Sequence, residues 1–142
     1  MPKERCPMHV LLVGHYKLLV KALKLGLEEE GITADIAHDD QEGDIKVRTA
    51  AYDAIVLDLQ HPQEASLGLL HQWRRAGLNT PVFVLTAPGP DDHATHTLRA
   101  AASDWLTKPF GLDDLLARLR ALANSVSAMA TGTPFLRQPV FL

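Results

Sequence analysis

Cysteine is almost absent. Cys6 is the only one in 142 residues, which excludes an internal disulfide framework and a cysteine-rich zinc site. Long apolar runs are missing too: none approaches the roughly 20 residues of a membrane span. The opening stretch, Met1 to Gly14, is too short in apolar residues for a signal peptide, so a cytoplasmic protein is the expectation. Nor is there an excess of one charge. Fourteen Lys and Arg against 17 Asp and Glu leave a formal net charge of −3, which gives no support for direct nucleic-acid binding by this stretch. No internal repeat is visible. What remains is ordinary for a globular chain: 46% hydrophobic and 22% charged residues, enough for one domain around one core.

Short apolar runs alternate with amphipathic stretches. His9 to Val13, closed by Gly14, is too continuous for a half-buried strand and reads as buried on both faces. Leu19, Ala22, Leu23, Gly26 and Leu27 predict a helix from about Lys17 to Glu30, with Gly31 as its ending glycine. Ile32–Ala37 reads as a second strand, Asp44–Ala51 as a short helix, and Ala54–Leu57 as a third strand ending at Asp58. A helix from about Ser66 to Ala76 carries Leu67, Leu70 and Trp73 on one face, with Leu70 and Trp73 read as core. Val82–Thr86 is a fourth strand, followed by the loop Ala87–Pro90 and an alanine-rich helix from about Asp91 to Ala101. His93 and His96 on that helix read as a solvated face. Trp105–Thr107 is a short fifth strand, cut off by Pro109. The last helix, about Leu112 to Asn124, has the stripe Leu112, Leu115, Leu116, Leu119, Leu122 and Ala123. Asp114 and Arg118 on it are spaced for a helix pair worth about 0.3–0.5 kcal/mol.

Strand and helix alternate with short connections, which predicts right-handed crossovers and a parallel sheet covered on both faces. A domain spanning residues 1–124 is expected. Residues 125–142 then read as a small, polar linker to Thr133 and an apolar tail from Pro134, either docked or the start of a missing domain. In such sheets ligands bind at the carboxyl ends of the strands. Gly14 and His15, Asp58, Thr86 and Lys108 stand there. A carboxylate, a hydroxyl and a lysine at one edge suit acyl or phosphoryl chemistry on the carboxylate. The plainer alternative is that Asp58 caps its strand and pairs with Lys108.

Three segments carry a resemblance: Tyr52-Asp-Ala-Ile-Val-Leu-Asp58-Leu, Pro81-Val-Phe-Val-Leu-Thr86-Ala, and Asp104-Trp-Leu-Thr-Lys108-Pro-Phe110. Over about residues 8–124 the chain resembles the receiver domain of bacterial two-component response regulators, closest to the OmpR/PhoB type. That type carries a winged-helix DNA-binding output domain, so DNA would be reached only through a domain absent here. The resemblance implies an α/β, flavodoxin-like (CheY-like) doubly wound sheet of five parallel strands in the order 2-1-3-4-5, with five helices. It implies that Asp58 is the position phosphorylated by a histidine kinase. Thr86 and Lys108 would contact the phosphoryl group, Pro109 would follow a bond that is often cis, and Trp105 would be the switch aromatic. The Gln60 carbonyl would be a magnesium ligand. A homodimer is implied through the face made by the Asp91 helix, the fifth strand and the last helix. Asp104, Asp114 and Arg118 match that face, whereas Ala94 and Ser103 stand where charges are common.

The chain departs from the family at the acidic pair after the first strand, where it has Gly14 and His15. Ala65-Ser66 and Ala101 are lesser departures. Magnesium takes hard oxygen ligands, usually one or two carboxylates, and offsets charge as a phosphoryl group moves. Glycine supplies no ligand, and imidazole is a poor one. Magnesium binding is therefore expected to be weak or absent, with no cofactor, and phosphorylation slow or absent. Asp58 would pair directly with Lys108. Aspartate at both 14 and 15 is expected to restore magnesium binding and labelling. The expected function is an atypical receiver of a transcriptional regulator, independent of phosphorylation and not an enzyme. The alternatives are a stand-alone interaction module and a receiver still phosphorylated at Asp58. A dehalogenase-like hydrolase needs an aspartate where Gln60 stands, and a zinc site from His15, Asp58 and His61 lacks a fourth ligand.

Overall fold

The structure is a computed structural model that describes residues 8–59, 65–86 and 102–130. The chain falls into two compact units, Met1–Phe110 and Gly111–Leu142. The first holds β1 (His9–Val13), α1 (Lys17–Glu29), β2 (Thr33–Ala37), α2 (Asp40–Thr49), β3 (Ala54–Asp58), α3 (Ala65–Arg75), β4 (Val82–Thr86) and β5 (Asp104–Thr107). The five strands form one parallel sheet in the order β2-β1-β3-β4-β5, as expected. Four helices lie among the described residues; the one expected near Asp91–Ala101 lies outside them, as do Cys6, Gln60, His61, His93, Ala94, His96 and the apolar tail.

The central strands are buried at every position, which is why their sequences show no alternation. On one face Leu11, Val13, Ile55, Leu57, Val82 and Val84 pack with Leu69, Leu70 and Trp73 of α3. Val10, Leu12, Val56, Phe83 and Leu85 are buried as well, and α1 contributes Val20, Leu23 and Leu27. Trp73 is core, as expected, and its indole N–H is satisfied by Asp44 Oδ1 of α2 at 2.9 Å. That bond, ahead of the cost of burial, holds the Asp44 carboxyl below its usual range. Helix α1 ends at Gly31, whose φ of +86° suits a residue without a Cβ. Gly31 N–H donates to the Glu28 carbonyl and Ile32 N–H to that of Leu27, satisfying two orphan carbonyls.

Two boundaries differ from expectation. Helix α2 starts at Asp40 rather than Asp44, because Asp39 caps it: its Oδ1 accepts the Glu42 N–H at 2.8 Å. Gly43 lies inside this helix, where an added Cβ would stand 3.1 Å from Val13 Cγ1, so the glycine lets α2 approach β1 closely. In the second unit, the helix α4 (Leu112–Ala130) runs past the expected end at Asn124. The segment read as a linker from Ser125 contains alanine and methionine and no glycine or proline until Gly132, so nothing in it stops a helix. Leu115, Leu116 and Leu119 of the stripe are buried.

Candidate functional site at the carboxyl edge

Strand register assembles the site. Val13 pairs with Leu57, so the following residues, Gly14 and Asp58, come side by side. Asp58 pairs with Leu85 and Thr86 with Thr107, which brings Thr86 and Lys108 to the same edge. The Lys108 N–H donates to the Thr86 carbonyl at 2.8 Å, and the Lys108–Pro109 peptide bond is cis, matching the resemblance. Asp58 is 3% exposed and Thr86 8%, an unusual depth for a carboxylate unless it is paired.

Lys108 supplies the partner. Its Nζ forms an ion pair with Asp58 Oδ1. Asp58 Oδ2 is buried and accepts no hydrogen bond from the described residues. That oxygen faces Gly14. A Cβ built on Gly14 would lie 3.3 Å from Oδ2, 3.0 Å from Asp58 Cβ and 2.9 Å from Val20 Cγ1. Gly14 is thus buried against the carboxylate, whereas His15 points its exposure to solvent. The Lys108 ammonium also lies over the Tyr16 ring, 5.7 Å from its centroid.

Gly14, Asp58, Thr86 and Lys108 therefore come together as the spacing predicts. Trp105 is half-buried and packs against the apolar cluster under the sheet. Asp114 and Arg118 form their expected helix pair, 3.3 Å apart, within the second unit, while Asp104 belongs to the first. The two positions expected to restore magnesium binding as aspartates differ in the space around them. Position 14 has no room for a side chain unless Val20 or Asp58 shifts; position 15 has. Sequence reasoning missed Tyr16, although an aromatic at a helix-capping position was a visible signal. Among the described residues, no group of three or more His, Cys, Asp or Glu could hold a metal ion.

A second polar cluster sits near the amino ends of β1 and β3. The Tyr52 hydroxyl donates to Asp35 Oδ2 at 2.9 Å, and His9 Nε2 lies 3.0 Å from the same oxygen. Burial opposes ionisation of Asp35, but the Tyr52 and His9 bonds outweigh it and hold the carboxyl below its usual range. Burial and the bond to Asp35 push the Tyr52 phenol up to about 12. This cluster ties strand starts together, far along the strands from Asp58.

Residues 10–120 match the response regulator receiver domain, and the chain belongs to that family. It is 40% identical over 115 residues to the transcriptional regulatory protein PmrA of Pectobacterium parmentieri, covering 81% of this chain and 52% of that protein. It is 35% identical over 124 residues to the virulence transcriptional regulatory protein PhoP of Salmonella typhimurium, covering 87% and 55%. These relatives are regulators of the OmpR/PhoB type. The chain spans about half the length of the curated relatives it matches. Among solved structures, the Francisella response regulator 1452 receiver domain superposes with a TM-score of 0.76 at 32% identity, covering 84% of this chain and 98% of that one.

Proposed function

We propose that this receiver is the signal-input part of a transcriptional regulator whose state is set without magnesium and without phosphorylation of Asp58. The observation that carries the reading is the buried Asp58–Lys108 ion pair beside Gly14. In a phosphorylated receiver a metal neutralises the charge that gathers as a phosphoryl group reaches the carboxylate. Among the described residues, a glycine and an exposed histidine follow β1 and the Asp58 oxygen Oδ2 accepts no hydrogen bond; Gln60 lies outside them. Those groups fit magnesium poorly, since the ion prefers several hard oxygens in near-octahedral array. Lys108 already supplies a countercharge to the buried carboxylate at Oδ1, with neither a metal ion nor a phosphoryl group required for that.

On this reading the chain is not an enzyme. Its output is contact: a homodimer, for which the resemblance points to Asp104 in the first unit and to Asp114 and Arg118 in the second, and DNA through an output domain of the kind the resemblance implies. A cytoplasmic location fits, and no helix among the described residues is long and apolar enough to cross a membrane. A second reading, a receiver phosphorylated at Asp58 by a histidine kinase, is favoured by the retention of Asp58, Thr86 and Lys108 at one edge. Incubation with acetyl phosphate, with and without magnesium, separates the two. The proposal expects no phosphoryl label on Asp58 in either condition; stoichiometric labelling that needs magnesium would establish the second reading instead.

A further inference from the structure

We propose that Tyr16 is a positioning residue for Lys108, its ring holding the ammonium on Asp58 so that the pocket stays closed. The inference rests on the closed pair described above, and it stands whether or not Asp58 accepts a phosphoryl group.

Tyr16 occupies the N-cap of α1, with extended φ and ψ of −80° and 101°. Serine, threonine, aspartate and asparagine are favoured there because a short oxygen can accept an orphan N–H of the first turn. A tyrosine cannot reach back to do so, and its side chain makes no capping bond; the first turn of α1 has no acidic residue either. The ring is not core material, being 55% exposed. A local rule broken with no local gain marks a side chain that serves something else.

What the ring meets is the Lys108 ammonium, 5.7 Å from its centroid. That lies within the roughly 6 Å over which the negative face of an aromatic attracts a cation. The arrangement is fixed by neighbours already described. Gly14, two residues earlier, is packed against Val20 of α1 and against Asp58, which seats the start of the helix next to the carboxylate. Lys108 therefore has two anchors: the charge of Asp58 and the face of Tyr16. An anion arriving at Asp58 must draw the same ammonium off Oδ1, and moving it off the ring adds to what that anion must overcome.

The readout is the accessibility of one amine. The intact chain is labelled briefly with an acetylating ester, and modification at each lysine is quantified by mass spectrometry. Tyr16→Phe keeps the ring and is expected to match the wild type at Lys108. Tyr16→Ala and Tyr16→Leu, the second keeping apolar bulk without a π face, are expected to raise Lys108 labelling about two- to fivefold, as loss of a cation–π contact at an exposed site predicts. Lys24, which pairs with Glu28 at 2.8 Å within α1, should label equally in all four proteins and so report an intact helix. Unchanged Lys108 labelling in Tyr16→Leu, or a rise in Tyr16→Phe equal to that in Tyr16→Ala, would overturn the proposal. Phosphoryl labelling of Asp58 would overturn the proposed function while leaving the lysine result in force.

Discussion

Replacing Gly14 by alanine tests whether this glycine marks a lost ligand or a filled space. Its φ lies outside the left-handed region, since the positive-φ glycines among the described residues are Gly31 and Gly77. The backbone would accept alanine, and a less flexible unfolded chain would then add about 0.4–1 kcal/mol of stability. The packing opposes this. The new Cβ would meet Val20 Cγ1 at 2.9 Å and Asp58 Cβ at 3.0 Å, well inside the roughly 3.5–4.0 Å optimum for carbon pairs. Neither neighbour is free to swing away, because Val20 is β-branched and buried and Asp58 is held by Lys108. Overpacking of this kind costs about 1–3 kcal/mol. The expected net loss is about 1–2 kcal/mol, a fall in Tm of about 3–8 °C for a domain of this size. Thermal and urea unfolding of the wild type, Gly14→Ala, Val20→Ala and the double variant give the answer. The double variant should be more stable than the sum of the single effects allows, by about 0.5–2 kcal/mol, because Val20→Ala removes the colliding carbon. A Gly14→Ala protein as stable as the wild type, or more so, refutes the steric account.

Two further outcomes follow from the polar clusters. Lys108→Met leaves the Asp58 carboxylate buried and unpaired, which should cost about 3–5 kcal/mol. Adding Asp58→Asn should recover most of that, as urea denaturation of the three proteins would reveal; additive losses would mean that the pair is not coupled. At the other edge of the sheet, Tyr52 has its folded pKa near 12, above its unfolded value of about 10. Its contribution is therefore fully present below pH 10 and lost as pH rises through about 12. Wild-type Tm should fall more steeply across that window than Tm of Tyr52→Phe, and parallel curves would count against the Tyr52–Asp35 bond as the cause.

The strands were legible because both faces of this sheet are covered: a continuous apolar run such as Ala54–Leu57 has one plausible home. Asp58, Thr86 and Lys108 were legible for a related reason, since a polar residue at the end of such a run must sit at an edge. Helix α2 was misplaced at its start. Its signal, Asp39 followed three residues later by Glu42, was in the sequence, but Gly43, just before Asp44, obscures where the helix begins. The glycine keeps α2 close to β1, where an added Cβ would press on Val13 Cγ1 at 3.1 Å. The same blindness affected Gly14. Spacing reveals which functional group is missing from a position, whereas only coordinates reveal what has moved into the vacated volume. Tyr16 stood out only as an aromatic at a capping position; its role was hidden because its partner is about 90 residues away in sequence, and no local pattern links that position to a lysine after β5.

The two non-acidic positions therefore differ physically, although the family treats them as a pair. His15 is exposed and follows β1 at the carboxyl edge of the sheet, so His15→Asp adds a carboxylate at that edge without displacing anything. Gly14→Asp must force Val20 or Asp58 aside, and the residue it disturbs is the other ligand the metal would need. If the donor set is what limits magnesium, His15→Asp alone should improve binding, because a second carboxylate joins the orphan Oδ2 of Asp58. The double variant should gain little more affinity and should melt below His15→Asp, since its second carboxylate comes at the cost of core packing. Titration calorimetry with magnesium, paired with thermal melts, distinguishes the cases. A double variant that binds magnesium tightly and melts with the wild type would mean that the space around Gly14 yields easily; the glycine would then matter only for the oxygen it lacks. A His15→Asp protein that binds no better than wild type would instead put the limit at Lys108, whose ammonium already occupies Oδ1 and repels a second cation.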